Sequence, residues 1–418
     1  MTDGALPPRW YWSTIGALCS KPEYGWTTKA TPAGQTRFLR TTDISGPFID
    51  WETVPFCRLE PAKGRRFRLQ QGDIVISRAG SVGVSKLIGP CPDAVFASYL
   101  IRFRPNGING KYLAYFLQGP SYWSEIAAKA AGIALQNVNA KKLAAIPIPV
   151  APPSEQTVIV AEIEKQFTRL DSGVEALRRA QAHLRRYQAA VLKAAYDGTL
   201  LQKGLGQAAW RWAKLEECAE AIVDCPHSTP RWTDSGRLCV RTTEFSVSGL
   251  RLHNGLRYVS EETYAERTAR IVPRGGDVLY SREGAILGIA CVVPPGVQLC
   301  LGQRMMLVRP RRTVDGRWIS AMLNSPQTLT QVKSLTGGSA SPHINVRDVK
   351  NFRIPLPSQT EQSALADEVD RQFSTISESS SAIEADLARS VRLRSSILRA
   401  AFEGRLVASG PSASTRVA

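Results

Sequence analysis

Apolar residues recur along 160–195 in alternating steps of three and four: Val160, Ile163, Phe167, Leu170, Val174, Leu177, Gln181, Leu184, Gln188, Val191 and Ala195. This is the seam of an amphipathic helix with a coiled-coil period. Shifted by 206 positions, the same phase returns as Ala366, Val369, Phe373, Ile376, Ser380, Ile383, Leu387, Ser390, Arg394, Ile397 and Ala401, with a weaker seam. Ser154 and Thr360 follow proline-rich turns and are expected as N-caps. Gly198 and Gly404 stand where a left-handed C-terminal cap belongs. Each helix should run for roughly 43 residues, about 65 Å at about 1.5 Å per residue, too long for the core helix of a small domain.

Ahead of each helix the period changes. Short apolar runs punctuated by Gly, Pro and Asp read as strands: "DIVIS" and "YLIRFRP" in the first part, "DVLYS", "ACVVP" and "MMLVRP" in the second. Each part also carries one shorter helix candidate, 110–130 and 316–335. The parts themselves repeat. "FLRTTDISG" (38–46) matches "CVRTTEFSVSG" (239–249), and "QGDIVISRAGSVG" (71–83) matches "GGDVLYSREGAILG" (275–288). "WYWSTIGALC" (10–19) pairs with "WRWAKLEECA" (210–219), and "GIALQNVNAKKLAAIPIP" (132–149) with "GSASPHINVRDVKNFRIP" (338–355). The expected fold class is α+β, with twisted, mainly antiparallel sheets and an internal pseudo-two-fold repeat. The expected divisions are a globular domain 1–150, a helix 151–203, a second domain 204–356, a second helix 357–408 and a disordered tail 409–418.

Charge orients the helices. In both, acids come first (Glu155, Glu162, Glu164, Asp171, Glu175; Asp367, Glu368, Asp370, Glu378, Glu384, Asp386) and bases follow (Arg178, Arg179, Arg185, Arg186, Lys193; Arg389, Arg392, Arg394, Arg399). This order suits each helix dipole and favours antiparallel pairing, which would place the globular parts at opposite ends of a rod. The alternative is that each helix packs only on its own domain. The chain's net charge is +17. The two helix segments sum to −1, so the globular parts carry the excess and point to a polyanionic partner, most often nucleic acid.

No apolar run is long enough to span a bilayer, and the start "MTDGALPPRWYWS" lacks a secretory pattern, so a cytoplasmic protein is expected. Eight cysteines are scattered without a CxxC pair and the four histidines lie far apart, which favours buried free thiols over a metal site. No P-loop, glycine-rich cofactor loop or methyltransferase signature is present.

The ordered pair "IPIPVAPPSEQTVIVAEIEKQF…LDSGVEALRRA…LRRYQAAVLKAAYDGTL" and "IPLPSQTEQ…VDRQF…SILRAAFEGRL" resembles the central and C-terminal conserved regions of the specificity subunit of type I restriction-modification systems. "GDIVISRAGSVG" and "GDVLYSREGAILG" resemble an element of its target recognition domains. The resemblance covers nearly the whole chain. It implies two target recognition domains, each reading half of a split double-stranded DNA site. It also implies long helices that separate the readers and dock two methyltransferase subunits, with motor-nuclease restriction subunits joining. S-adenosylmethionine, ATP and Mg are then expected in the partner subunits and no cofactor in this chain, a non-catalytic targeting subunit. The same resemblance suggests Glu155, Gln156, Glu361 and Gln362 at the helix starts as partner-docking residues. Two other classes remain open: a stand-alone two-domain DNA-binding regulator, and a recognition or scaffold module with a hidden activity.

Candidate DNA contacts follow from residue type, because phosphates take Arg, Lys and small donors, while bases take Arg, Asn and Gln. Arg40-Thr41-Thr42 and Arg241-Thr242-Thr243 recur beside Asp43 and Glu244, so each arginine serves either DNA or its neighbouring acid. Arg78 and Arg282, in "SRAG" and "SREG", are either DNA contacts or structural loop arginines. Features shared by both domains suit phosphate binding or folding, and features that differ suit sequence reading. "KGRRFR", with Lys63, Arg65 and Arg66, and "RPRR", with Arg311 and Arg312, are basic and unmatched. Gln136-Asn137 and His343 differ at aligned positions. The aromatic runs around Trp10 and Trp210 are expected to pack rather than to stack on bases.

Overall fold

The structure is a computed structural model, and it describes residues 6–58, 64–130, 138–201, 210–252, 255–284, 286–336 and 342–407. Lys63, Gln136, Asn137 and the expected tail 409–418 lie outside the described residues. The chain divides into two compact units, Met1–Ala176 with Asp386–Ala418, and Leu177–Ala385.

Unit 1 is built on two small sheets. One has strand order Glu23–Tyr24, Leu100–Phe103, Ile74–Ser77, Ser85–Leu87 and is antiparallel throughout. The other runs Ala30–Thr31, Phe56–Cys57, Thr36–Leu39, Ala94–Phe96, and its last pair is parallel. Unit 2 repeats both sheets. The first is Ala219–Asp224, Met305–Pro310, Val278–Ser281, Ala290–Val292, and the second is Trp232–Thr233, Tyr258–Val259, Arg237–Val240, Leu299–Leu301, again ending in a parallel pair. A two-stranded ladder closes each unit, with Trp12 opposite Pro149 in one and Trp212 opposite Pro355 in the other. The strands Ile74–Ser77 and Val278–Ser281 are buried along their whole length, which is why they read as continuous apolar runs and not as alternating ones.

Two expectations need correction. The single helices predicted over 110–130 and 316–335 are each broken in two, into Gly110–Phe116 and Pro120–Ala130, and into Gly316–Leu323 and Pro326–Thr336. The cause is Pro120 and Pro326, whose rings push the residue before them out of the helical region and then begin the next helix at its first position. The N-caps are also displaced. The long helices are Pro153–Tyr196 and Gln359–Phe402, so Ser154 and Thr360 lie inside the first turn. Ser358 caps the second helix, its Oγ facing the Glu361 N–H at 3.4 Å while Glu361 Oε2 accepts the Ser358 N–H at 2.9 Å. The matching residue of the first helix, Pro152, cannot cap, and there Glu155 accepts from Trp10 Nε1 at 2.8 Å and Arg9 at 2.5 Å.

The far ends follow the pattern. Gly198 and Gly404 take φ of +72° and +69°, and Thr199 and Arg405 donate back to Ala194 and Ala400 at 2.8 Å, the Schellman closure. Every position of both seams is buried or half-buried, including Ser380, Ser390 and Arg394. In unit 1 the start of the first helix (Ile159, Val160, Ile163, Phe167) shares one core with the end of the second (Leu398, Ala401, Phe402). In unit 2 Val191, Leu192, Ala195 and Tyr196 share a core with Leu365, Val369, Phe373 and Ile376. Within each unit the two segments therefore run in opposite directions, as the charge order predicts. Arg394 reaches Asp171 at 2.7 Å and lies 3.9 Å from the Phe167 ring centre. Burying one large apolar side chain contributes about 1.5–3 kcal/mol, against about 0.2–1 kcal/mol for an exposed ion pair, so the shared cores do most to hold the helices in place.

Seven of the eight cysteines are buried, Cys91 is half-buried, and all are unpaired. Among the described residues, no helix is long and apolar enough to cross a membrane.

Candidate nucleic-acid interface

In each unit, segments far apart in sequence meet at one end of the antiparallel sheet. The "SRAG" and "SREG" loops leave the buried central strand. There the Arg78 N–H donates to Tyr99 O at 2.9 Å, and the Arg282 N–H donates to Arg304 O at 3.0 Å. On the other side the Arg78 carbonyl accepts from the Val138 N–H at 3.1 Å, and the Arg282 carbonyl from the Ile344 N–H at 2.9 Å. The loop ending at His343 is thereby tied to the "SREG" loop, and His343 bridges Glu283 and stands exposed. The Arg-Thr-Thr turns come to the same corner, because Leu39 O and Val240 O, one residue earlier, accept from Ala97 at 2.9 Å and Gly302 at 2.7 Å.

The turn arginines are engaged by their neighbouring acids. Arg40 donates from its backbone N–H and Nε to Asp43 Oδ2 and from Nη2 to Oδ1, at 2.7, 3.1 and 2.8 Å. Arg241 binds Glu244 in the same way, with N–H and Nη2 contacts of 2.6 Å. The Asp43 hydrogen bonds raise the pKa of Arg40 above the usual guanidinium value. Thr42 and Thr243 donate to the same carboxylates at 3.3 and 2.8 Å, while Thr41 and Thr242 are half-buried beside them.

The two loop arginines differ although their backbones match. Arg282 is buried, with 8 % of its side chain exposed, and chelates Asp224 from Nε and Nη2 at 2.8 Å each. Burial disfavours its charge, but the hydrogen bonds to Asp224 together with the negative charges of Asp224 and Glu283 leave its pKa raised. His227 completes the cluster, 3.1 Å from Asp224 and with 65 % of its side chain exposed. Arg78 is half-buried and lies 4.9 Å from the centre of the Tyr24 ring. Strand register explains the difference. Tyr24 stands opposite Ile101, and Asp224 opposite Met306, at equivalent positions of the repeated sheets. The loop arginine therefore meets a carboxylate in one domain and a phenol ring in the other.

The remaining candidates lie elsewhere. Arg65 is exposed, and Arg66 pairs with Glu23 at 3.1 Å, next to Tyr24. The backbone carbonyls of Arg66 and Arg68 accept from buried Arg102, whose guanidinium also meets Asp73 and Glu23. Arg311 and Arg312 are exposed but follow the strand Met305–Pro310, which Arg304 precedes. At about 3.3 Å per residue they sit roughly 20 Å from the corner. Arg311 Nε is bound to Glu217 O at 2.8 Å, and Arg312 O accepts from Gln359. The structure thus separates that basic run from the other candidates. Gln156 and Gln362 are 2 % and 1 % exposed with both amide ends used internally, so their geometry assigns them to the fold and not to docking. Glu155 and Glu361 face Trp10 and Trp210.

The sequence reading missed Tyr24, Tyr99, Asp224, His227, Arg304 and Gln303, whose Nε2 donates to His227 O at 2.6 Å. The residue immediately before "LIRF" and "MMLVRP" would have given Tyr99 and Arg304 once those strands were aligned on the repeat.

Two copies of one α+β domain, each presenting a polar corner with its own side chains, define a duplicated recognition protein. The family model for the type I restriction modification DNA specificity domain matches residues 29–177 and again 242–387. The chain belongs to this family and carries its domain twice. It is 24% identical over 434 residues to the EcoKI specificity subunit of Escherichia coli K12, an alignment covering 98% of this chain and 91% of that one. It is 25% identical over 308 residues to the EcoBI specificity subunit of Escherichia coli, covering 69% of this chain and 64% of that one. Solved structures agree on the fold. A chain from a structure on the assembly and conformational transition of a type I restriction-modification system superposes with a TM-score of 0.72 at 19% identity, covering 96% of this chain and 99% of that one. The HsdS subunit from Thermoanaerobacter tengcongensis gives 0.53 at 21%, covering 97% and 99%.

Proposed function

We propose that this chain is the targeting subunit of a type I restriction-modification complex. It reads a split duplex DNA site, one half per domain, and leaves the chemistry to its partners. Modification subunits supply methyl transfer from S-adenosylmethionine to adenine, and restriction subunits supply ATP- and Mg-dependent translocation and cleavage. The observation that carries this reading is the duplicated corner, in which the backbone frame is the same and the side chains differ. Two unlike readers on one chain suit a non-palindromic two-part site, where a symmetric dimer would demand a palindrome. The net charge of +17 supplies the attraction to phosphate.

The test is a methylation map. The chain is co-expressed with its neighbouring modification subunit in a methylation-free host, with the modification subunit alone as control. Methyladenine at one split motif, absent from the control, is the expected result. Stable co-purification with no new modification overturns the proposal and returns weight to a DNA-binding regulator.

A further inference from the structure

The corner that both domains share holds a residue neither motif contains. Tyr99 and Arg304 occupy one position of the repeat, each accepting through its carbonyl from the loop arginine, at 2.9 and 3.0 Å. Their side chains could hardly differ more in chemistry. Tyr99 is 61 % exposed beside Tyr24 and Arg78, and Arg304 is exposed beside the Asp224–His227–Arg282 cluster. Arg304 also takes φ of +67°, a left-handed conformation that a long side chain rarely adopts, whereas Tyr99 does not. Strain of this kind at a solvent-facing residue marks a position whose side chain matters for more than folding, because glycine would sit there at no cost.

We propose that Tyr99 and Arg304 are equivalent specificity-determining residues, one for each half of the DNA site; this rests on the targeting function proposed above. Arg304 supplies the fork of donors that fits the O6 and N7 acceptors of guanine in the major groove. Tyr99 offers an apolar ring of the kind that packs on the 5-methyl group of thymine. Arg282 is a positioning residue. Asp224 takes its Nε and Nη2, and Glu283 and the Ile344 carbonyl take its Nη1, so its side chain braces the loop beside Arg304 and His227. Shared backbone thus serves the task common to both domains, and a divergent position on it serves the task on which they differ.

The experiment selects bound duplexes from a random-sequence library with the full-length chain, in complex with its modification subunits, comparing wild type, Arg304→Gly, Arg304→Lys and Tyr99→Ala. Wild type should recover two short half-sites separated by a fixed gap. Arg304→Gly should lose discrimination at one base of one half-site by about tenfold or more, leave the other half-site intact and unfold at the same or a higher temperature, since glycine relieves the left-handed backbone. Arg304→Lys should keep affinity but lose the bidentate preference. Tyr99→Ala should degrade only the other half-site. Equal weakening at both half-sites, or an unchanged motif in either variant, overturns the assignment while leaving the targeting function standing. A wild-type complex that selects no motif overturns the targeting function and this assignment with it.

Discussion

The side chain of Gln156 closes on Asn109: Oε1 accepts the Asn109 backbone N–H at 2.8 Å, while Nε2 donates to Ala151 O at 2.8 Å. In the second domain Gln362 makes the same two bonds, with Asp315 at 3.0 Å and Pro357 at 2.9 Å. Asn109 and Asp315 are themselves the N-caps of short helices. One buried amide therefore ties the start of each long helix to the domain beside it. Glutamine suits the place because it offers one acceptor and one donor at fixed separation and carries no charge to desolvate.

Gln156→Ala leaves a buried N–H and a buried carbonyl unpaired, at a cost of about 1–3 kcal/mol for each group that water cannot reach. The expected result is faster amide exchange in unit 1, at the Asn109 N–H and the first turn of the helix from Pro153, with rates around Gln362 unchanged. Gln362→Ala should give the mirror result. A uniform increase in exchange through both units would show that the glutamines act on global stability and not on the local joint.

Asp171 and Arg394 form a helix-to-helix ion pair of the sign and direction that the charge order leads us to expect. Asp171 is exposed and Arg394 only half-buried, so a double-mutant cycle with Asp171→Ala and Arg394→Ala should return a coupling of about 0.2–1 kcal/mol that shrinks as salt rises. Arg394→Ala should nevertheless cost more than Asp171→Ala, because it also removes the cation from the face of Phe167. Equal single-mutant effects would mean that the ring contact contributes nothing.

Much of this architecture was legible because it is written in periods. The seam from Val160 to Ala195 and its copy gave both long helices, and Gly198 and Gly404 gave their ends. What was lost was local. Pro120 and Pro326 break helices whose apolar pattern runs straight through them. The cap at Ser358 has no counterpart in the first copy, where Pro152 stands, and matched residues point to Ser154 and Thr360 instead. The candidate interface was half legible. Repeated motifs revealed Arg40, Arg78, Arg241 and Arg282, whose backbones and neighbouring acids shape the corner. Tyr24 and Asp224 stayed hidden because a residue that differs between copies leaves no repeat to find, and only strand register shows that the positions correspond, whereas Tyr99 and Arg304 stand next to strands that do repeat.

The cap of the second long helix should depend on pH. Hydrogen bonds from the Ser358 hydroxyl, and then from its backbone N–H, hold the Glu361 carboxyl below the usual carboxylate range. A depressed pKa in the folded state means that the unfolded chain binds the proton more readily. The contribution is therefore complete above the unfolded value of about 4.3 and is lost as pH falls through the lower folded value. Amide exchange in the first turn, Gln359–Gln362, corrected for the intrinsic pH dependence, should lose protection below about pH 4. Glu361→Gln should abolish that dependence, because a neutral amide can still accept from the cap. If the glutamine variant still loosens in acid, another carboxyl is responsible, and Glu368 is the first to examine, since Arg371 and Gln372 hold its pKa at about 2.

Binding to DNA should separate attraction from reading. The helix segments are close to neutral, so the domains carry the positive excess and should supply the phosphate contacts. Six to ten such contacts would lower affinity by about 10³–10⁵ between 50 and 200 mM salt. Arg65 is exposed in a basic run with no counterpart in the other domain. A residue of that kind that touches phosphate contributes to affinity without regard to sequence. Arg65→Ala should therefore weaken binding to every duplex alike and reduce the slope of log affinity against log salt by about one, with the selected motif unchanged. Fluorescence titrations on a cognate and a scrambled duplex at four salt concentrations measure both quantities. Loss on the cognate duplex alone, at an unchanged slope, would move Arg65 from the backbone of the DNA to its bases.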